Sequence, residues 1–320
     1  MAGVISSYVA NRQVFRMNEN MAHIQESARI VNELMGREIR SAGGNSCGAS
    51  LVANLLNDSA STWWADWSGG TVKGWDGTQN AGFKPFGSSP ADRVSGTDAV
   101  LILSGSARGG FSIVQHDTAS VALQLNTTNH GISANDIVLV CDPFTAAILQ
   151  VTNILGANTT LIHNTGTSTP GNCSESLGHP GPNPCNHSTP PLAGTPKDFT
   201  GGILAKLTAS FWYIGHNGQG GTSLYRLRLD GGPTGITSEE IVEGVTDLQL
   251  QYLTHDGTTL ANSYVDAGSI SDWSDSATNK VVAVRATLTL ETLEEVGIGH
   301  TRINRLLSFT SSLRNRETVQ

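Results

Sequence analysis

The chain has 320 residues, a formal net charge of -8 and only 14% charged residues. That length can bury a substantial core as one large domain or two moderate ones. The charge excludes a general affinity for nucleic acid, because phosphate binding needs a concentration of Lys and Arg that is lacking overall. With 36 glycines, the composition points to many turns and few solvated helices, hence to strands after an opening helix.

In residues 11–43 the apolar positions Val14, Met17, Met21, Ile24, Ala28, Val31, Met35 and Ile39 recur at alternating steps of three and four. This is the stripe of a long amphipathic helix. Other faces carry Arg16, Glu19, Glu26, Arg29, Glu33 and Arg37, with Glu33 four residues before Arg37 in the favourable order for a surface pair. Gly43 and Gly44 follow the last apolar position, where helices commonly stop in a left-handed residue. Ahead of the stripe, Val4, Ile5, Tyr8 and Val9 look like the closing turns of something more apolar. The expectation is a fragment whose signal and membrane anchor lie upstream. No run here approaches the ~20 consecutive apolar residues of a membrane span.

GNSCG at 44–48 satisfies G-x-S-x-G, the nucleophile elbow of serine hydrolases, with Ser46 in the attacking position. The elbow requires a strand before the serine and a helix after it. Here a helix precedes, so the string reads as a helix exit followed by a cysteine.

The next stretch holds Trp63, Trp64, Trp67 and Trp75, four of the six tryptophans. Exposed, such a cluster stacks on sugars or docks a partner; buried, it is the core of a long loop, which is the reading favoured here. Strand-like runs follow at DAVLILSG, FSIVQH, SVALQL, DIVLVCD, AAILQVTNI and TTLIHN, separated by turn residues. A second series comprises LAKLTASFWYIGH, TSLYRLRLD, EEIVEGVTDLQLQYLT and NKVVAVRATLTLET. Its alternation places Leu224, Arg226 and Arg228 on one side and Tyr225, Leu227 and Leu229 on the other, as in an antiparallel sheet with one wet face. HNGQGG between two of these runs lacks the Gly-Lys-Ser/Thr ending of a phosphate loop and reads as a hairpin turn.

Cys47, Cys141, Cys173 and Cys185 contain no C-x-x-C pair, and four cysteines permit three pairings. A short Cys173–Cys185 bridge would order the proline-rich segment around it, which leaves Cys47 with Cys141. Two such bridges imply an oxidising compartment. Cys173, His179, Cys185 and His187 also invite a zinc reading, but structural zinc sites bring ligands in two closely spaced pairs. No metal or cofactor is expected.

NRQVFRMNENMAHIQESARIVNELMGREIRSAGGNSCG, VLVCDPFTAAILQVTN, HNTGTSTPGNC, SFWYIGHNGQGGTSLYRLRL and EEIVEGVTDLQLQY together resemble the PilW family of type IV minor pilins, in order along nearly the whole chain. The sequence departs from that family in lacking its leader and its Phe-Thr-Leu apolar stretch. The resemblance implies an α+β, pilin-like fold, in which a long N-terminal helical spine (1–43) packs on an antiparallel sheet head (200–320) with a loop-rich insertion (44–199). It also implies a non-enzymatic subunit of the complex that primes pilus assembly and rides at the tip, serving twitching motility and adhesion. Its partners would be other minor pilins, a tip adhesin and the major pilin below, through the helix stripe from Val14 to Ile39. It would face the periplasm at the inner membrane and then enter the extracellular pilus. The alternatives are a minor pseudopilin of a type II secretion system, a secreted hydrolase using Ser46, and a carbohydrate-binding protein using the four tryptophans.

Overall fold

The structure is a computed structural model that describes residues 2–45, 47–49, 51–105, 110–157, 159–165, 169–178, 196–229, 231–233 and 235–314. It opens with one helix, α1 (Ala2–Ser41). The first strands are β1 (Leu51–Asn54), β2 (Val72–Trp75), β3 (Ala99–Gly105), β4 (Phe111–Asp117), β5 (Ala122–Leu125), β6 (Ile137–Cys141), β7 (Thr145–Gln150), β8 (Asn153–Leu155) and β9 (Thr160–Ile162). The longer ones follow: β10 (Ile203–His216), β11 (Thr222–Leu229), β12 (Ile236–Glu243), β13 (Val245–His255), the two-residue β14 (Val265–Asp266), β15 (Lys280–Glu291) and β16 (Asn304–Ser312).

These elements correct the expected α+β class. Strands hold 41% of the residues and helix 14%, and the larger sheet curls into a half-barrel in place of a helical spine on a single sheet head. Among the described residues, twelve strands form that sheet and β14-β13-β15-β16 form a second one. β10 organises the large sheet. Its first residues pair with β6 on one side and β4 on the other, and its later residues pair with β3 and β11. Strands from both sides of position 200 therefore share one sheet. All its pairings are antiparallel except β1 with β7.

The run EEIVEGVTDLQLQYLT is not one strand. It breaks at Gly244, which sends β12 to the large sheet and β13 to the small one. Gly244 has φ of 75°, and a Cβ there would lie 2.7 Å from the Glu291 carbonyl oxygen, so only glycine fits.

Alternation along β10 supplies two cores. Trp212 and Ile214 face α1 and the small sheet, together with Leu248, Leu250 and Tyr252 of β13. Phe211 and Tyr213 face the opposite way, into the tryptophan-rich loop. The side of β11 that carries Leu224, Arg226 and Arg228 is therefore not a wet face: Leu224 lies in the first core, and the Arg226 side chain is only 14% exposed. A third core lies between β4, β5 and β9 and the back of β6 and β7.

The helix stops as its sequence foretells. Gly43 is left-handed at φ 67°, and a side chain there would collide with Thr71 Oγ1 at 2.9 Å. Its N–H donates to the Leu103 carbonyl at 2.8 Å, while the Gly44 carbonyl accepts from Gly105 at 2.7 Å. The helix exit is thus stitched to the end of β3. One turn earlier, the Glu38 carboxylate accepts from Ser210 Oγ, Trp212 Nε1 and Arg226, each at 2.7 Å. Arg226 also pairs with Glu239.

Cys47 and Cys141 form a disulfide across 94 residues, with Cα atoms 5.9 Å apart. Cys173 is disulfide-bonded as well; Cys185, the partner expected from sequence, lies outside the described residues.

Two outcomes follow from these ties. Glu38→Ala, which strands three donors in a largely buried site, should lower stability by about 2–4 kcal/mol in urea unfolding, with Glu38→Gln recovering part of the loss. Replacing Cys47 and Cys141 by serine should cost about 2–5 kcal/mol by the same measurement, because the bridge closes a long loop.

Candidate functional site

The stripe expected to face partner helices is divided. Ile24, Val31, Met35 and Ile39 are buried against the chain's own sheets, with Met21 and Ala28 packed beside them. Those positions pack within the chain's own fold. Toward the N-terminus the burial ends. Val14 is 51% exposed, Phe15 69% and Tyr8 67%, and Met17 is half-buried. Val14 and Met17 line a groove of about 630 Å³ against Val296, Ile298 and Ile303. Arg16 reaches Glu294 at 2.8 Å on the same side, a half-exposed pair that contributes little to stability. A helix of 40 residues is about 60 Å long at ~1.5 Å per residue, and Ile24 is the first apolar residue of its stripe buried in the core.

The four tryptophans come together, and all pack in the second core. Trp64 and Trp67 are buried, while Trp63 and Trp75 keep partly exposed edges. Trp63 stacks on Phe83 with centroids 4.9 Å apart, and Phe83 stands edge-on to Trp75 and to the buried Phe211. Sequence reasoning missed Phe83, which arrives from a later turn with no periodic signal.

Ser46, His179 and His187 lie outside the described residues. The flanks of Ser46 are a helix before and β1 after, the reverse of the nucleophile elbow. Among the described residues, no three His, Cys, Asp or Glu side chains cluster in a way that could hold a metal ion.

Buried titratable groups serve the architecture. Arg93, fully buried, donates to the carbonyls of Gln79, Asp76 and Thr97 and lies over the Phe86 ring. Burial lowers its pKa to about 10 against the pull of Asp98 and Asp76. Asp98 accepts from the Leu250 N–H at 2.7 Å and joins the two sheets; burial raises its pKa to about 6. His116 and His163 face each other through their Nε2 atoms at 3.2 Å. His116 Nδ1 accepts from the Phe199 N–H, so the His116 proton sits on Nε2 and points at His163. The remaining His163 proton is then on Nδ1, which is shut away from solvent. Burial pushes His163 to about 3, and the neighbouring His116 adds to the shift. Burial also lowers His116, against the opposing pull of Asp198 and Asp117.

The fold and its surfaces thus define a mostly β chain with one long helix, anchored at its C-terminal half and partly unpacked at the other end. Residues 211–310 match the family model PilW, described as Type IV Pilus-assembly protein W. That segment runs from the middle of β10 into β16 and so includes the strands that receive the helix. The match supports the PilW family and an involvement in type IV pilus assembly. No curated protein and no solved structure gives a significant match. No helix among the described residues is long and apolar enough to cross a membrane.

The histidine pair makes stability depend on acid in a definite direction. The unfolded chain binds protons at these rings below pH about 6.5, whereas folded His163 resists them until about 3. Stability should therefore be intact above 6.5 and fall progressively between those values. Urea midpoints measured across that range should drop less steeply in a His116→Phe/His163→Leu double variant.

Proposed function

We propose that this chain is a minor pilin, a non-enzymatic subunit that joins other minor pilins in the complex that primes type IV pilus assembly. It resides at the periplasmic face of the inner membrane and later sits with an adhesin at the tip, above the major pilin, in support of twitching motility and attachment. The observation that carries this reading is the PilW match over residues 211–310, taken with the exposed apolar side chains at the start of α1. Tyr8, Val14 and Phe15 project from a helix whose other end is locked into the sheets. Exposed apolar surface of this kind marks an interaction site, and a rigid helix is suited to packing against neighbouring helices. The Cys47–Cys141 disulfide accords with an oxidising compartment.

The test separates assembly from folding. Val14→Asp/Phe15→Asp places carboxylates at exposed positions and should change stability by no more than about 0.5 kcal/mol. In cells that depend on the variant, surface pili counted by electron microscopy should be lost. Val31→Asp, by contrast, buries an unpaired charge and should melt the protein itself. Normal piliation in the double variant, or melting as severe as that of Val31→Asp, would overturn the reading.

A further inference from the structure

The tryptophan-rich loop folds into a cleft of about 680 Å³, walled by Trp63, Trp64, Trp75 and Phe83 and carrying Lys73 and Asp66. That volume is in the range of small-ligand sites, which pair apolar walls with a few placed polar groups. The walls are fixed before any ligand arrives. The Trp63, Phe83 and Trp75 rings brace one another, and Phe83 rests on Phe211 in the core. Preorganised walls spare a ligand the cost of ordering them.

Both polar groups keep hydrogen-bonding capacity. The Lys73 ammonium lies 5.6 Å from the Trp75 ring centroid and has no ion-pair partner among the described residues. Asp66 Oδ1 accepts from Ser68 Oγ and the Gly69 N–H, both at 2.8 Å. Oδ2 has no protein donor among the described residues.

We propose that this cleft binds a neutral saccharide, a function beyond the pilus role and independent of it. A pyranose ring offers an apolar C–H face to a flat aromatic wall and a rim of hydroxyls that both donate and accept. Asp66 Oδ2 accepts a hydrogen bond from a hydroxyl, and Lys73 donates to a hydroxyl or ring oxygen. One cation and one anion leave the site without net charge, so an acidic sugar gains at Lys73 what it loses at Asp66. An apolar peptide segment would cover both charges without pairing them, which is costly.

The experiment uses the intact chain and an array of immobilised oligosaccharides built from glucose, galactose and N-acetylhexosamines, with sialylated counterparts. A neutral oligosaccharide that binds is then titrated in solution by tryptophan fluorescence. Lys73→Met and Asp66→Asn leave the rings in place and should each weaken that binding roughly tenfold or more. Gly82 lines the cleft, and a Cβ built there meets nothing within 4 Å. Gly82→Leu should therefore fill the site and abolish binding with an unchanged melting temperature. The proposal is overturned if no neutral glycan binds above a control protein, if sialylated glycans are preferred, or if the three variants bind like the wild type. Because the readout is binding by the isolated chain, such a failure leaves the pilus reading standing.

Discussion

The Glu38 carboxylate is the point on which the two parts of the molecule depend. It accepts hydrogen bonds from Ser210 and Trp212 on β10 and from Arg226 on β11. One helix residue therefore fixes both the rotation of α1 about its axis and its height on the sheet. Charge-assisted bonds in a site this sheltered are stronger than neutral ones, and without Glu38 the Ser210 and Trp212 donors would lose the acceptor they share. With Glu38 held, Val31, Met35 and Ile39 face inward.

β10 is the second constraint. Its alternation gives the sheet two buried faces, with Trp212 and Ile214 turned to the helix and Phe211 and Tyr213 turned to the tryptophan-rich loop. The candidate pilin surface and the aromatic cleft consequently lie on opposite sides of one strand. An occupant of the cleft need not compete with the partners of the helix. The two proposed activities would share a scaffold and use different surfaces of it.

Much of this was legible in the sequence, and the exceptions have physical causes. The helix stripe and its glycine stop were readable because they are local: spacing and backbone geometry decide them. The two-sided character of β10 and β11 is also written in their alternation, but which face is wet is not. Arg226 looks like a solvent residue until a helix carboxylate arrives from 188 positions away. The break at Gly244 was hidden because the apolar pattern continues through it while the strands change sheets. The tryptophans read as the core of a long loop, whereas Phe83 comes from a turn and Lys73 and Asp66 carry no signal beyond their proximity once the loop has folded. Periodicity cannot tell a residue that packs on its own sheet from one that packs on a neighbour, so the stripe alone does not divide the two.

The disulfide between Cys47 and Cys141 has a mechanical meaning. A pull along α1 leaves the helix through residues 42–49, which are hydrogen-bonded to the end of β3 at Gly43 and Gly44 and then joined covalently to the last residue of β6. From there the load passes into β10, whose Ile203 is paired with Cys141, and so reaches the middle of the large sheet. The short β1, four residues long and held in parallel to β7, is bypassed. Tension that would unzip a peripheral strand is diverted by a covalent shunt into the longest strand of the fold.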